Sequence, residues 1–166
     1  MKVVKFQVLF VMLLVLTSLL SHGEGSSSLT IDGIGIGCER RVADQLRAAL
    51  GFLPVQGSDW VMYCQGGVVV NSWCSPTVWF DESGLARRVV GYPLKFGGQD
   101  LTRGDGLSKV IEVLGQPSST INKESPEDPI TYLYYSQLGI GIKLATNTSE
   151  VRYFKLERGP MATDEF

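Results

Sequence analysis

The residues of this 166-residue chain that can do chemistry are few: three cysteines, one histidine and scattered carboxylates. The histidine, His22, falls in a segment that reads as a signal peptide. Its loss on processing leaves no imidazole, which excludes Ser-His-Asp or Cys-His nucleophilic chemistry and the usual His-containing zinc site. Carboxylate pairs can act as acid and base without help, but the acidic residues follow no catalytic spacing. "ESPED", 124–128, reads as a solvated loop shaped by Pro126 and Pro129. "GIGIG", 33–37, lacks the G-x-G-x-x-G spacing of a dinucleotide site and reads as a strand edge and helix entry. Cys38, Cys64 and Cys74 complete the set. In an oxidising compartment three thiols form one disulfide and leave one over. No cofactor and no metal is expected.

The compartment is indicated by the first residues. Lys2 and Lys5 form a positive n-region, "VLFVMLLVLTSLL" an apolar run of h-region length, and "SHGEGSSS" a small and polar stretch with a cleavage position after Gly23 and another after Gly25; an uncleaved N-terminal anchor is the alternative. The run is shorter than the ~20 residues a spanning helix needs, so no integral span is expected after cleavage. Residues 1–23 are therefore expected to be removed and the protein to be periplasmic or secreted. Without Lys2 and Lys5 the chain carries 13 basic and 17 acidic side chains, a net charge of −4. A mildly acidic chain without a basic run is a poor nucleic-acid partner.

The elements that position the remaining side chains come in two similar sets. On a shift of 64 residues, Ala43, Leu46, Ala49, Leu50 and Gly51 fall on Leu107, Val110, Val113, Leu114 and Gly115. The apolar positions lie on one helix face, and the glycine after each leucine fits a left-handed C-terminal cap. Pro54 and Pro117 follow. Thr102 and Asp105 suggest a capping box for the second helix; Cys38 occupies the place equivalent to Thr102. "LTIDGIGI", 29–36, and "YPLKFGG", 92–98, read as strands before the helices. After them come strands at "TVWF" and "LARRVVGY" around the turn "DESG", and at 130–135, 139–144 and 151–156. The expected fold is α+β: a signal peptide at 1–23, two tandem helix-plus-antiparallel-strand repeats at 24–91 and 92–158, and a flexible tail at 159–166. The repeats are expected to form one sheet with both helices on one face. Period-2 alternation puts Ile140, Ile142, Leu144, Phe154, Leu156, Val78 and Phe80 under the helices and Trp79, Lys143, Tyr153 and Lys155 opposite. Leu133 is expected inward, and Tyr132 and Tyr134 outward.

A turn and N-cap, then "SKVIEVLGQP", aromatic strands and a hairpin of the "VWFDESGLARRVVG" type resemble the repeat of the β-lactamase inhibitory proteins. A single unit of similar type occurs in the BamE-like (SmpA/OmlA) outer-membrane assembly lipoproteins. The resemblance spans roughly residues 29–158, and no lipidation cysteine follows the apolar run here. It implies a non-enzymatic protein that binds another protein through a sheet face rich in aromatic residues. Trp60, Tyr63, Trp73, Trp79, Tyr132, Tyr134 and Tyr153 are the candidates for that face, since aromatic anchors bury much area at little rotamer cost. The partner is expected to be a secreted or envelope protein, with inhibition of an enzyme or toxin as the sharper reading and an envelope assembly or structural role as the alternative. A carboxylate-dependent hydrolase is the third.

The resemblance also implies a Cys64–Cys74 bridge, since the inhibitory proteins place an intra-repeat disulfide in the equivalent strands. A tight turn at Gly66-Gly67 would instead pair Cys64 with Val69 and leave Cys74 near Asp59, and Cys38 would then take one of the two as partner. If Cys38 is free, the helix dipole would lower its pKa. With no second thiol or histidine beside it, a buried small residue is the expected role. Asn147-Thr148-Ser149 is an N-glycosylation sequon on an expected turn.

Overall fold

The computed structural model of the chain describes residues 29–67, 69, 73–123 and 128–159. The expected signal peptide, most of the tail and residues 124–127 of the "ESPED" loop lie outside them. In chain order the described elements are β1 (Thr30–Ile31), α1 (Arg40–Ala48), β2 (Phe52–Gln56), β3 (Trp60–Gln65), β4 (Cys74–Phe80), β5 (Ala86–Gly91), β6 (Leu94–Phe96), β7 (Gln99–Leu101), α2 (Leu107–Leu114), β8 (Ser119–Lys123), β9 (Ile130–Tyr135), β10 (Ile140–Ala145) and β11 (Glu150–Glu157).

These make an α+β fold with two separate sheets, which corrects the expectation of a single sheet built from tandem repeats. Eight strands run β2-β3-β4-β5-β11-β10-β9-β8, all antiparallel, while β1-β6-β7 form a second sheet of three. The segments expected to lead into the helices within the main sheet are the ones that leave it. Thr30 pairs with Lys95 and Ile31 with Leu94, so β1 joins β6 rather than a neighbour in the large sheet. Four strands, not three, follow each helix, because β2 and β8 line the two edges. β2 carries Pro54, which lacks a backbone donor and is tolerated at an edge.

Alternation fixes the faces of the large sheet. Val61, Val78, Val89, Leu156, Ile140 and Tyr135 are successive register partners across six strands, and all belong to one buried cluster. Leu133, Ile142, Phe154, Leu144 and Val151 extend it. Ile31 and Ile34 from the β1 segment, Ala43 of α1, Leu94 and Leu101 of the small sheet, and Val110 of α2 close over it. The small sheet therefore lies on the same inner face as the helices, with β1 packed against β5 and β11.

The helix ends show local chemistry at work. Gly51 and Gly115 hold φ of +81° and +79° after the two helices, a backbone region that costs glycine little. The capping box expected at Thr102 is corrected: α2 starts after Gly106 as N-cap. The Asp105 carboxylate accepts the Thr102 amide at 2.7 Å and pairs with Lys109 at 2.9 Å, which closes the preceding turn instead.

The inner face of α1 also needs correction. Ala43 and Arg47 are its buried residues, whereas Leu46 is 45% and Leu50 65% exposed. Arg47 wins the inner position because its guanidinium finds partners there. Its Nη2 donates to the Ser75 carbonyl at 2.8 Å, its Nη1 lies 2.7 Å from the Asp32 carboxylate, and the group sits 4.2 Å from the Phe52 ring centroid. Only 1% of its surface remains exposed. Burial holds the Asp32 carboxyl above its ordinary range, opposed by the Arg47 charge.

Candidate binding surfaces

The outer face of the large sheet carries rows of aromatic and charged side chains. Trp60, Trp79, Arg88 and Glu157 are register partners across β3, β4, β5 and β11. Arg88 lies over Trp79, 5.5 Å from its ring centroid, and its Nε donates to Glu157 Oε1 at 2.8 Å. The other carboxylate oxygen lies 3.1 Å from Lys155 Nζ. Burial works against the Glu157 charge, but these two cations outweigh it and hold its carboxyl below the ordinary range. In the next row Lys155 faces Gly141, which faces Tyr134. Gly141 contributes no side chain between them, and Lys155 is only 2% exposed. Farther along, Tyr153, Lys143 and Tyr132 are opposite one another, with Lys143 over the Tyr153 ring and Lys123 over that of Tyr132, each at 5.4 Å. Burial, then the neighbouring Tyr132 and Tyr134, push the Tyr153 hydroxyl up to about 12.

The seven aromatic residues singled out in the sequence do not form one open surface. Trp60, Trp79 and Tyr153 are half-buried on the outer face. Tyr132 and Tyr134 are on that face, yet buried. Tyr63 lies within the core under α1, where its hydroxyl donates to Asp44 Oδ1 at 2.8 Å. Burial and that carboxylate raise its pKa. Trp73 precedes β4 and is 69% exposed.

Cys64 and Cys74 are bonded to each other and stand opposite in the β3–β4 ladder. The tight-turn alternative does not occur: the Gln65 amide donates to the Trp73 carbonyl at 2.9 Å, so the connection is longer than two residues. A register shift between Met62 and Cys64 brings the two cysteines into alignment. Cys38 is free and half-buried. Burial, then the Glu39 charge, raise its thiol pKa, so it is not an activated thiolate.

A second surface was not anticipated. Val42, Leu46 and Leu50 recur every four residues and turn outward along α1 and the turn after it. Leu53 on edge strand β2, Val69 and Trp73 are likewise exposed. They do not all share one side: Gly67 approaches Leu53 and the Gly66 amide donates to the Gly51 carbonyl, but Leu53 follows the inward-facing Phe52 on β2 and so belongs to the sheet face opposite α1. The spacing of Val42, Leu46 and Leu50 was present in the sequence. Their orientation was not, because it depends on a partner for Arg47 across the fold.

Among the described residues, no group of three His, Cys, Asp or Glu side chains is arranged to hold a metal, and no helix is long and apolar enough to cross a membrane. No family model, no curated protein and no solved structure matches this chain.

Proposed function

We propose that this chain is an exported, non-enzymatic protein-binding module, with inhibition of a secreted or envelope enzyme or toxin as its sharpest form. The observation that carries the reading is the row of exposed apolar side chains Val42, Leu46 and Leu50 along α1 and the turn after it, with further exposed apolar side chains on edge strand β2, at Val69 and before β4. Six large apolar side chains there face solvent. Such side chains favour a protein partner that removes them from water, and Trp73 is of a type enriched among interface anchors. The resemblance to the inhibitory proteins supports the same class of function but directs attention to the outer sheet face. The half-buried Trp60, Trp79 and Tyr153 form a second, more polar contact region there.

The test uses oxidised protein beginning at Glu24 as bait against secreted and envelope extracts. The reading expects one soluble enzyme or toxin in a defined ratio. Leu46→Asp with Leu50→Asp should abolish capture, and Trp79→Ala with Tyr153→Ala should leave most of it. The reverse pattern would transfer the interface to the sheet face. Recovery of membrane-assembly proteins would favour the envelope-factor alternative. Capture of nothing, or capture unaffected by either pair, would refute the reading.

A further inference from the structure

We propose that Asn147 is an N-glycosylation site, accepting an oligosaccharide from a polyprenyl-pyrophosphate donor when the chain is exported through a compartment that holds the transferase. The inference rests on the export part of the proposed function and is independent of the binding partner. Asn147-Thr148-Ser149 satisfies the acceptor pattern, with threonine rather than proline in the middle. The structure adds that the tripeptide occupies the turn between β10 and β11, where residues 146–149 are all exposed.

The turn is well anchored on both sides. The Ser149 amide donates to the Ala145 carbonyl at 2.7 Å, and the Ser149 carbonyl accepts the Leu107 amide at 3.0 Å. Thr146 donates its amide to the Pro129 carbonyl, and its hydroxyl meets that of Thr131 at 3.0 Å. These contacts use backbone groups and Thr146, and leave Asn147 at the solvent-facing tip. Ala145 and Val151, immediately beside the turn, are buried. A bulky glycan at Asn147 thus projects into water, whereas one attached at the buried Ala145 or Val151 would oppose packing.

In the transfer, the Asn147 carboxamide nitrogen attacks C1 of the donor's first sugar. The N–C1 bond forms, the bond from C1 to the pyrophosphate oxygen breaks, and the amide nitrogen gives up a proton. The polyprenyl pyrophosphate leaves with the electron pair.

The test expresses the full chain in a eukaryotic secretory host, once with its own first 23 residues and once with those replaced by a proven leader. Expected in the medium is a species of increased mass. Peptide N-glycosidase should remove the increase and leave Asp at position 147, as read by peptide mass mapping. Asn147→Gln and Ser149→Ala should lose the shift, while Thr148→Ala should keep it. Chain secreted by the proven leader with unmodified Asn147 would overturn the site. So would a shift that survives Asn147→Gln. A shift with the proven leader alone, the native form remaining inside the cell, would uphold the site and refute export by the native segment.

Discussion

Replacing Arg47 with methionine should be among the most damaging single changes in this protein. Methionine restores most of the aliphatic stem but removes three polar or ring contacts at once: the ion pair to Asp32, the hydrogen bond to the Ser75 carbonyl and the stacking on Phe52. Removing one partner of a buried pair costs about 3–5 kcal/mol, because the other charge is left behind. Asp32 retains 22% side-chain exposure, so water relieves part of that penalty. The orphaned Ser75 carbonyl adds about 1–3 kcal/mol if it stays dry. A loss of about 3 kcal/mol follows, toward the lower end of the pair's range. With a urea m-value of about 2 kcal/mol/M, the midpoint should fall by about 1.5 M at unchanged slope. Asp32→Asn is the informative partner change. Asp32 has φ of +53°, a region that asparagine also tolerates, so the substitution removes charge without new backbone strain. The double variant should recover about 1 kcal/mol or more relative to additivity. A single-variant loss below about 1 kcal/mol, or additive behaviour in the cycle, would refute the account of Arg47 as the anchor that turns α1.

Acid should destabilise the protein through Glu157 and Asp105. The cations around Glu157, and the Thr102 amide with Lys109 at Asp105, hold both carboxyls below their ordinary values of 4.5 and 3.8. Their contribution is fully present above those values and is lost as pH falls through the lower folded values. Asp32 acts in the opposite sense, because its raised pKa means that protonation favours the folded state. Urea midpoints measured from pH 6 down to pH 3 should decline, and Arg88→Ala should flatten the decline; an unchanged slope would contradict the Glu157 assignment. Replacing Cys64 and Cys74 by serine should cost about 2–3 kcal/mol, from the entropy of a closed loop spanning a separation of 10 residues. Reduction of the native protein followed by urea titration checks this, and an unaltered midpoint would refute it.

What could be read from the sequence divides along physical lines. β9, β10 and β11 were legible as strands from their aromatic, aliphatic and β-branched runs between turn sequences, but the faces of β9 were not legible from alternation, because tyrosines stand on both of them and both are buried. β8, "STINK", escaped because an edge strand with little burial needs no apolar pattern. β1, β6 and β7 are two or three residues long, too short for any period to identify their partners. Leu133 could be placed inward by its chemistry, and it is in the core. Tyr63 could not be separated from the other aromatic residues, since its place depends on Asp44 of α1 lying within reach of its hydroxyl. The apolar surface was hidden for the same reason as Arg47: a helix wheel ranks side chains by polarity and knows nothing of a carboxylate and a carbonyl waiting across the fold.

The large sheet has one further property. Every ladder within β2-β3-β4-β5 and within β8-β9-β10-β11 joins strands adjacent in the chain, whereas Arg88↔Glu157 to Gly91↔Phe154 joins strands more than sixty residues apart. β1 and β6 are separated almost as widely. Local ladders close with little loss of chain entropy, and distant ones cost more and form later. The two meanders can therefore zip independently, leaving the β5–β11 seam and the small sheet laid across it as the step that makes the chain a single cooperative body.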